Sequence, residues 1–64
     1  MQITVNGERC AIPDGSTVAG LLADRSTDGL AVARNGEVVP RSTHARVVLV
    51  DGDVVEIVEA VQGG

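Results

Sequence analysis

Sixty-four residues, 28 of them apolar and none of them Phe, Tyr or Trp, make one small domain with an aliphatic core, at a size where folding unaided is marginal. One Cys and one His exclude an internal disulfide and a structural zinc site. Five Arg, no Lys and nine carboxylates give a formal net charge of −4, which offers nucleic acid neither a basic patch nor an aromatic platform.

In chain order, Ile3-Thr4-Val5 alternates apolar and polar, Asn6-Gly7 follows, and Glu8-Arg9-Cys10-Ala11-Ile12 alternates more weakly. This spacing predicts a β-hairpin, because Asn-Gly is the preferred pair for a type I′ turn. Ile3 and Val5 then face inward with Cys10 and Ile12. Pro13-Asp14-Gly15 closes the hairpin. A helix is predicted next, capped by Ser16 or Thr17, with Val18, Leu21 and Leu22 on one face and its end near Arg25. Gly20 costs it about 1 kcal/mol relative to Ala, so packing rather than propensity must hold it. Ser26-Thr27-Asp28-Gly29 reads as a loop.

A second hairpin repeats the first: Leu30 to Arg34, then Asn35-Gly36, then Glu37-Val38-Val39, ended by Pro40. Arg41 to His44 reads as a turn or a single 3₁₀ turn, and Val47 to Val50 is an apolar run open to either assignment. Asp51-Gly52-Asp53 is a polar turn. In the last strand, Val54 to Val58, Val55 and Ile57 face the core and Val54 and Val58 the other side. The 12 Val among the apolar residues suit strands, where β-branched side chains lose little freedom.

The order β-β-α-β-β-turn-β supplies one helix, enough for one sheet face. The expected class is α+β: a mixed four- to five-stranded sheet with one helix packed on one face and the terminal strands adjacent and parallel in the centre, the β-grasp or ubiquitin-like arrangement. Residues 1–58 form the domain, and 59–64 a flexible C-terminal tail. No apolar run approaches the ~20 residues of a membrane span. Met1-Gln2-Ile3-Thr4 lacks the basic and apolar start of an export signal, so no membrane and a cytoplasmic, reducing location are expected.

The tail ends in Gly63-Gly64. Two readings are open: a frayed end or cloning remnant, or a reactive terminal carboxylate. An ionised carboxylate is a poor electrophile and needs activation, for example by adenylation, which installs AMP as leaving group. An enzyme doing this must admit the tail through a narrow channel, and residues without Cβ let the backbone approach closely. Glu59 to Gly64, fully extended, reach about 20 Å.

Thr17-Val18-Ala19-Gly20-Leu21-Leu22, the run Val32 to Arg41, Asp51-Gly52-Asp53-Val54-Val55-Glu56-Ile57-Val58 and the ending Ala60-Val61-Gln62-Gly63-Gly64 together resemble the ThiS family of sulfur carriers in thiamine biosynthesis, over almost the whole chain. The resemblance implies a protein co-substrate rather than an enzyme. Gly64 would be adenylated by an E1-like adenylyltransferase using ATP, then converted to a thiocarboxylate with sulfur from a cysteine desulfurase relay. Thiazole synthase would take that sulfur. Gln62 and Gly63 would form the passage, and the free protein would be a monomer binding no cofactor of its own. One departure is His44, where relatives often carry a bulky aromatic.

Among other candidates, Cys10 is expected to be a buried, inert thiol and His44 a surface or turn residue. Asp51 and Asp53 fall short of a calcium loop, and no Gly-rich loop with a Lys exists to cradle ATP. Val54 and Val58, with Val61 and Val39, are candidates for docking the activating enzyme. The carrier of another pathway, of the molybdopterin-synthase small-subunit type, and a ubiquitin-like modifier of protein lysines are the alternative functions.

Overall fold

Two Asn-Gly turns organise the computed structural model, which describes residues 1–23 and 29–59. Strands β1 (Gln2–Val5) and β2 (Glu8–Ala11) are joined by Asn6 and Gly7 at φ 50° and 83°. Strands β3 (Leu30–Arg34) and β4 (Glu37–Val39) are joined by Asn35 and Gly36 at φ 51° and 84°. Positive φ at both central residues is type I′ geometry, which Asn tolerates and Gly adopts freely. The last strand, β5 (Val54–Glu59), enters between the hairpins, so the sheet runs β2-β1-β5-β3-β4. β5 is parallel to β1 and antiparallel to β3, the expected mixed β-grasp sheet.

Period-2 alternation then fixes the core. Ile3, Val32, Val39, Val55 and Ile57 come from the sheet, Val18 and Leu22 from the helical segment, and Leu49 from the long connection. Each such side chain contributes about 1.5–3 kcal/mol when removed from water. The helix is shorter than its periodicity suggests: α1 spans Val18–Leu21, and Arg25 lies outside the described residues. Thr17 is the cap, its Oγ1 accepting from the Gly20 N–H at 3.0 Å. The Leu22 N–H is shared between the Val18 and Ala19 carbonyls, and Ala23 bonds Gly20; this 3₁₀-like tightening ends the α-helical pattern.

The open assignments resolve through hydrogen bonds. Arg41–Thr43 is a 3₁₀ turn. The apolar run does not join the sheet: the Val18 N–H bonds Val47, the Leu49 N–H bonds Ser16, and Val48 bridges Thr17, strapping the connection to the start of α1. β5 runs one residue beyond Val58, since Glu59 pairs with Leu30.

Two side chains sit deeper than expected. Val39 faces the core, because it pairs directly with buried Val32; Val38, opposite Ala33, is the residue of β4 on the open face. His44 is buried, its Nε2 3.1 Å from the Val39 carbonyl while its own carbonyl accepts from Ala19. It is a tie between the 3₁₀ turn, β4 and α1 rather than a surface residue. Cys10 is half-buried against the core.

Asp53 is only 4 % exposed. It accepts from Arg34 Nε at 2.8 Å, Asn35 Nδ2 at 3.0 Å and the Val50 N–H at 2.9 Å. Burial alone would raise its pKa; the Val50, Asn35 and Arg34 hydrogen bonds and the Arg34 charge outweigh that and hold the carboxyl below its ordinary 3.8. A lowered folded pKa stabilises above the unfolded value and is lost as pH falls through the folded one. Asp53→Ala should therefore cost about 2 to 3 kcal/mol in urea unfolding at pH 7. The gap to the native chain should narrow only below about pH 4.

Candidate functional site

Because Gly63-Gly64 follow β5 in the sequence, the strand that carries them sets where the domain ends and the tail begins. Ala60, Val61, Gln62, Gly63 and Gly64 lie outside the described residues; the described part of the site is β5 and what holds it. Against β3 the pairing runs without a break from Val55–Arg34 to Glu59–Leu30. Against β1 it is short: Thr4 pairs with Val54 and Val5 with Val55, after which β1 turns away at Asn6-Gly7.

Asn6 covers the edge thus left bare. Its backbone N–H donates to the Val55 carbonyl at 2.9 Å. Its side-chain Oδ1 accepts from the Ile57 N–H at 2.8 Å and its Nδ2 donates to the Ile57 carbonyl at 3.0 Å, so the carboxamide imitates one more residue of a neighbouring strand. Asn35 does the corresponding work at the other end of β5. Its N–H donates to the Val54 carbonyl at 2.7 Å, its Oδ1 accepts from the Val54 N–H at 2.9 Å, and its Nδ2 reaches Asp53. The turn-forming role of Asn-Gly does not reveal either contact; the sequence signal for both is the repetition of Asn-Gly at the same place in both hairpins.

The sheet face away from α1 carries two of the four residues expected to dock a partner. Val54 is 45 % and Val58 56 % exposed, joined by Val38 at 77 %. In register, Val54 stands beside Thr4, Glu56 beside Ala33, which has Val38 on its other side, and Val58 beside Ala31. Val38, Ala33, Ala31, Val54 and Val58 make one side of this face apolar around the Glu56 carboxylate, while Thr4 and its cross-strand neighbour Arg9 make the other side polar. Val61 lies outside the described residues, and Val39 belongs to the core.

Among the described residues no group of three or more His, Cys, Asp or Glu is placed to hold a metal, and no helix is long and apolar enough to cross a membrane. Asp51, in the expected polar turn, accepts from the Gln2 N–H at 2.8 Å. His44 and Cys10 do not approach the end of β5: one is bound to β4 and the other pairs with Ile3. Among the described residues the arrangement presents an open sheet face and the strand that leads to Gly63-Gly64 in the sequence.

A family model described as the ThiS family matches residues 3–64. The chain is 41 % identical over 66 aligned positions to a thiazole synthase of Paramagnetospirillum magneticum, all of this chain matching about a fifth (20 %) of that protein's length. It is 35 % identical to the sulfur carrier protein ThiS of Escherichia coli, with 100 % of both chains covered. The crystal structure of a thiamine biosynthesis protein (ThiS) from Geobacter metallireducens superposes with a TM-score of 0.88 at 30 % identity, again over 100 % of both chains.

The Asn6 contact has a direct readout. Asn6→Gly keeps the positive φ but removes both side-chain bonds, so the Ile57 amide should exchange with solvent about tenfold faster, while the Glu56 amide, which faces β3 on the opposite edge of β5, should be little changed.

Proposed function

The chain belongs to the ThiS family, and we propose that it is a sulfur carrier of thiamine biosynthesis whose chemistry is carried by the Gly64 carboxylate. The observation that supports this most is the match over residues 3–64 to that family, in a chain where Gly63-Gly64 follow closely on the central strand.

The proposed sequence begins with attack of the Gly64 carboxylate on the α-phosphate of ATP, bound by an E1-like adenylyltransferase. Pyrophosphate leaves and an acyl adenylate forms. The terminal sulfur of a cysteine persulfide, supplied by a desulfurase relay, attacks the acyl carbon and displaces AMP. A thiol then cleaves the remaining sulfur–sulfur bond and leaves the thiocarboxylate. That group is anionic and polarisable, a competent nucleophile for the substrate of thiazole synthase. The relative that carries this domain inside a thiazole synthase supports that enzyme as the acceptor. ATP and reduced sulfur place the chemistry in the cytoplasm.

In this scheme the domain is a handle. Gln62 and Gly63 pass through a channel too narrow for most side chains, and Val54 and Val58, with Val61, press the open sheet face against the activating enzyme. The nine carboxylates against five Arg favour encounter with a basic cleft.

Deleting Gly64 should abolish the oxygen-for-sulfur exchange seen by intact mass, while changing unfolding free energy by less than about 0.5 kcal/mol. A Gly-Gly remnant on foreign lysines, with no thiocarboxylate, would favour a protein modifier instead. A thiocarboxylate that thiazole synthase does not accept would favour a carrier of another pathway, of the molybdopterin-synthase type. Val54→Glu and Val58→Glu should each lower kcat/KM for adenylation by about tenfold or more, at unchanged unfolding midpoint; unchanged kinetics would remove the docking role of that face.

A further inference from the structure

An acyl adenylate is attacked by any accessible amine, and the products of such attack are dead ends for a sulfur carrier. The amine nitrogen bonds to the acyl carbon, the bond to the phosphate oxygen breaks, AMP leaves with the electron pair, and a proton passes to water. Resting on the proposed activation of Gly64, we propose that this chain is built to deny its own activated terminus an amine, so that the acceptor is chosen by the partner enzyme.

Composition supplies the first part. All five cationic side chains are Arg and none is Lys, and a guanidinium keeps its proton in proteins and so is no nucleophile. The amine left on the chain is the Met1 amino group. Its nitrogen donates to the Ile12 carbonyl at 3.0 Å and to Asp14 Oδ1 at 3.2 Å. The Met1 side chain is only 8 % exposed and packs on the core, so the amine is anchored from both sides.

Topology supplies the second. β1 and β5 run parallel with Thr4 beside Val54, and the Ile12–Met1 hydrogen bond shows that Met1 continues the line of β1. Met1 is three residues before Thr4 and Glu59 five after Val54. At about 3.3 Å per residue the amine and the end of β5 are then about 26 Å apart along the sheet. The five residues beyond Glu59 span at most about 18 Å. The terminus cannot reach the amine of its own chain, and a second copy meets that amine already paired.

The test uses the full chain carrying a Gly64 thioester made by chemical ligation, which needs no adenylating enzyme. Its outcome is therefore independent of whether Gly64 is adenylated. At pH 8 the native chain should hydrolyse to the acid. Glu59→Lys places an exposed amine at the end of β5, and Glu8→Lys places one two strands away at the level of Val55, about 16 Å from that end and within the span of the tail. In both, the lysine nitrogen should displace the thiol and give an amide one water lighter than the acid by intact mass, at least about tenfold faster than any such product in the native chain. Thermal unfolding of each variant verifies its fold, and either one suffices. Ring or acylated-dimer formation by the native chain at a rate comparable to the lysine variants overturns the proposal. So does failure of both folded lysine variants to form an amide, because lack of an amine would then not be what protects the terminus.

Discussion

A strand in the middle of a sheet must find partners along both edges, because its buried N–H and C=O groups otherwise cost more than the sheet gains. β5 meets this demand asymmetrically. β3 runs alongside it for its whole length, but β1 leaves after Val5. The carboxamides of Asn6 and Asn35 complete the edges, one at Ile57 and the other at Val54. Asp53, fixed by Arg34, Asn35 and Val50, locks the turn that delivers the strand. Two residues chosen for tight turns thus also define the register of the strand that leads to the tail.

Most of the fold was legible because the local signals agreed. Asn-Gly between alternating runs gave both hairpins, and the inward positions Ile3, Val55 and Ile57 followed from period 2. What escaped the sequence was long-range or set by competing packing. Arg34 and Asp53 lie 19 residues apart and Asn6 and Ile57 lie 51 apart, separations at which no periodicity speaks. Val39 was ambiguous because β4 has only three residues, too few for alternation to assign a face; its pairing with Val32 assigns it. His44 looked solvent-facing because its neighbours are polar, yet the 3₁₀ turn rotates its ring onto the Val39 carbonyl. The site was legible in a different sense: the Gly-Gly ending and the exposed Val54 and Val58 could be named, whereas the devices that hold β5 could not.

The same economy runs through the chemistry. The core is built of aliphatic side chains, and among the described residues no group of three or more His, Cys, Asp or Glu is placed to hold a metal. The proposed reactivity lies in a main-chain carboxylate, whose behaviour would be governed by what surrounds it once a partner has closed over it. The domain contributes geometry: a rigid strand before the tail, a sheet face apolar on one side, and an amino terminus at the far pole.

The parallel pairing of β1 and β5 also has a mechanical side. A partner that draws the tail into a channel while gripping the body of the domain pulls along the axis of β5. The hydrogen bonds from β1, β3 and the two Asn side chains lie across that axis, so the load falls on them together, in shear, rather than one after another as in unzipping. Load applied at the end of β5 is thereby shared across the sheet instead of unravelling it.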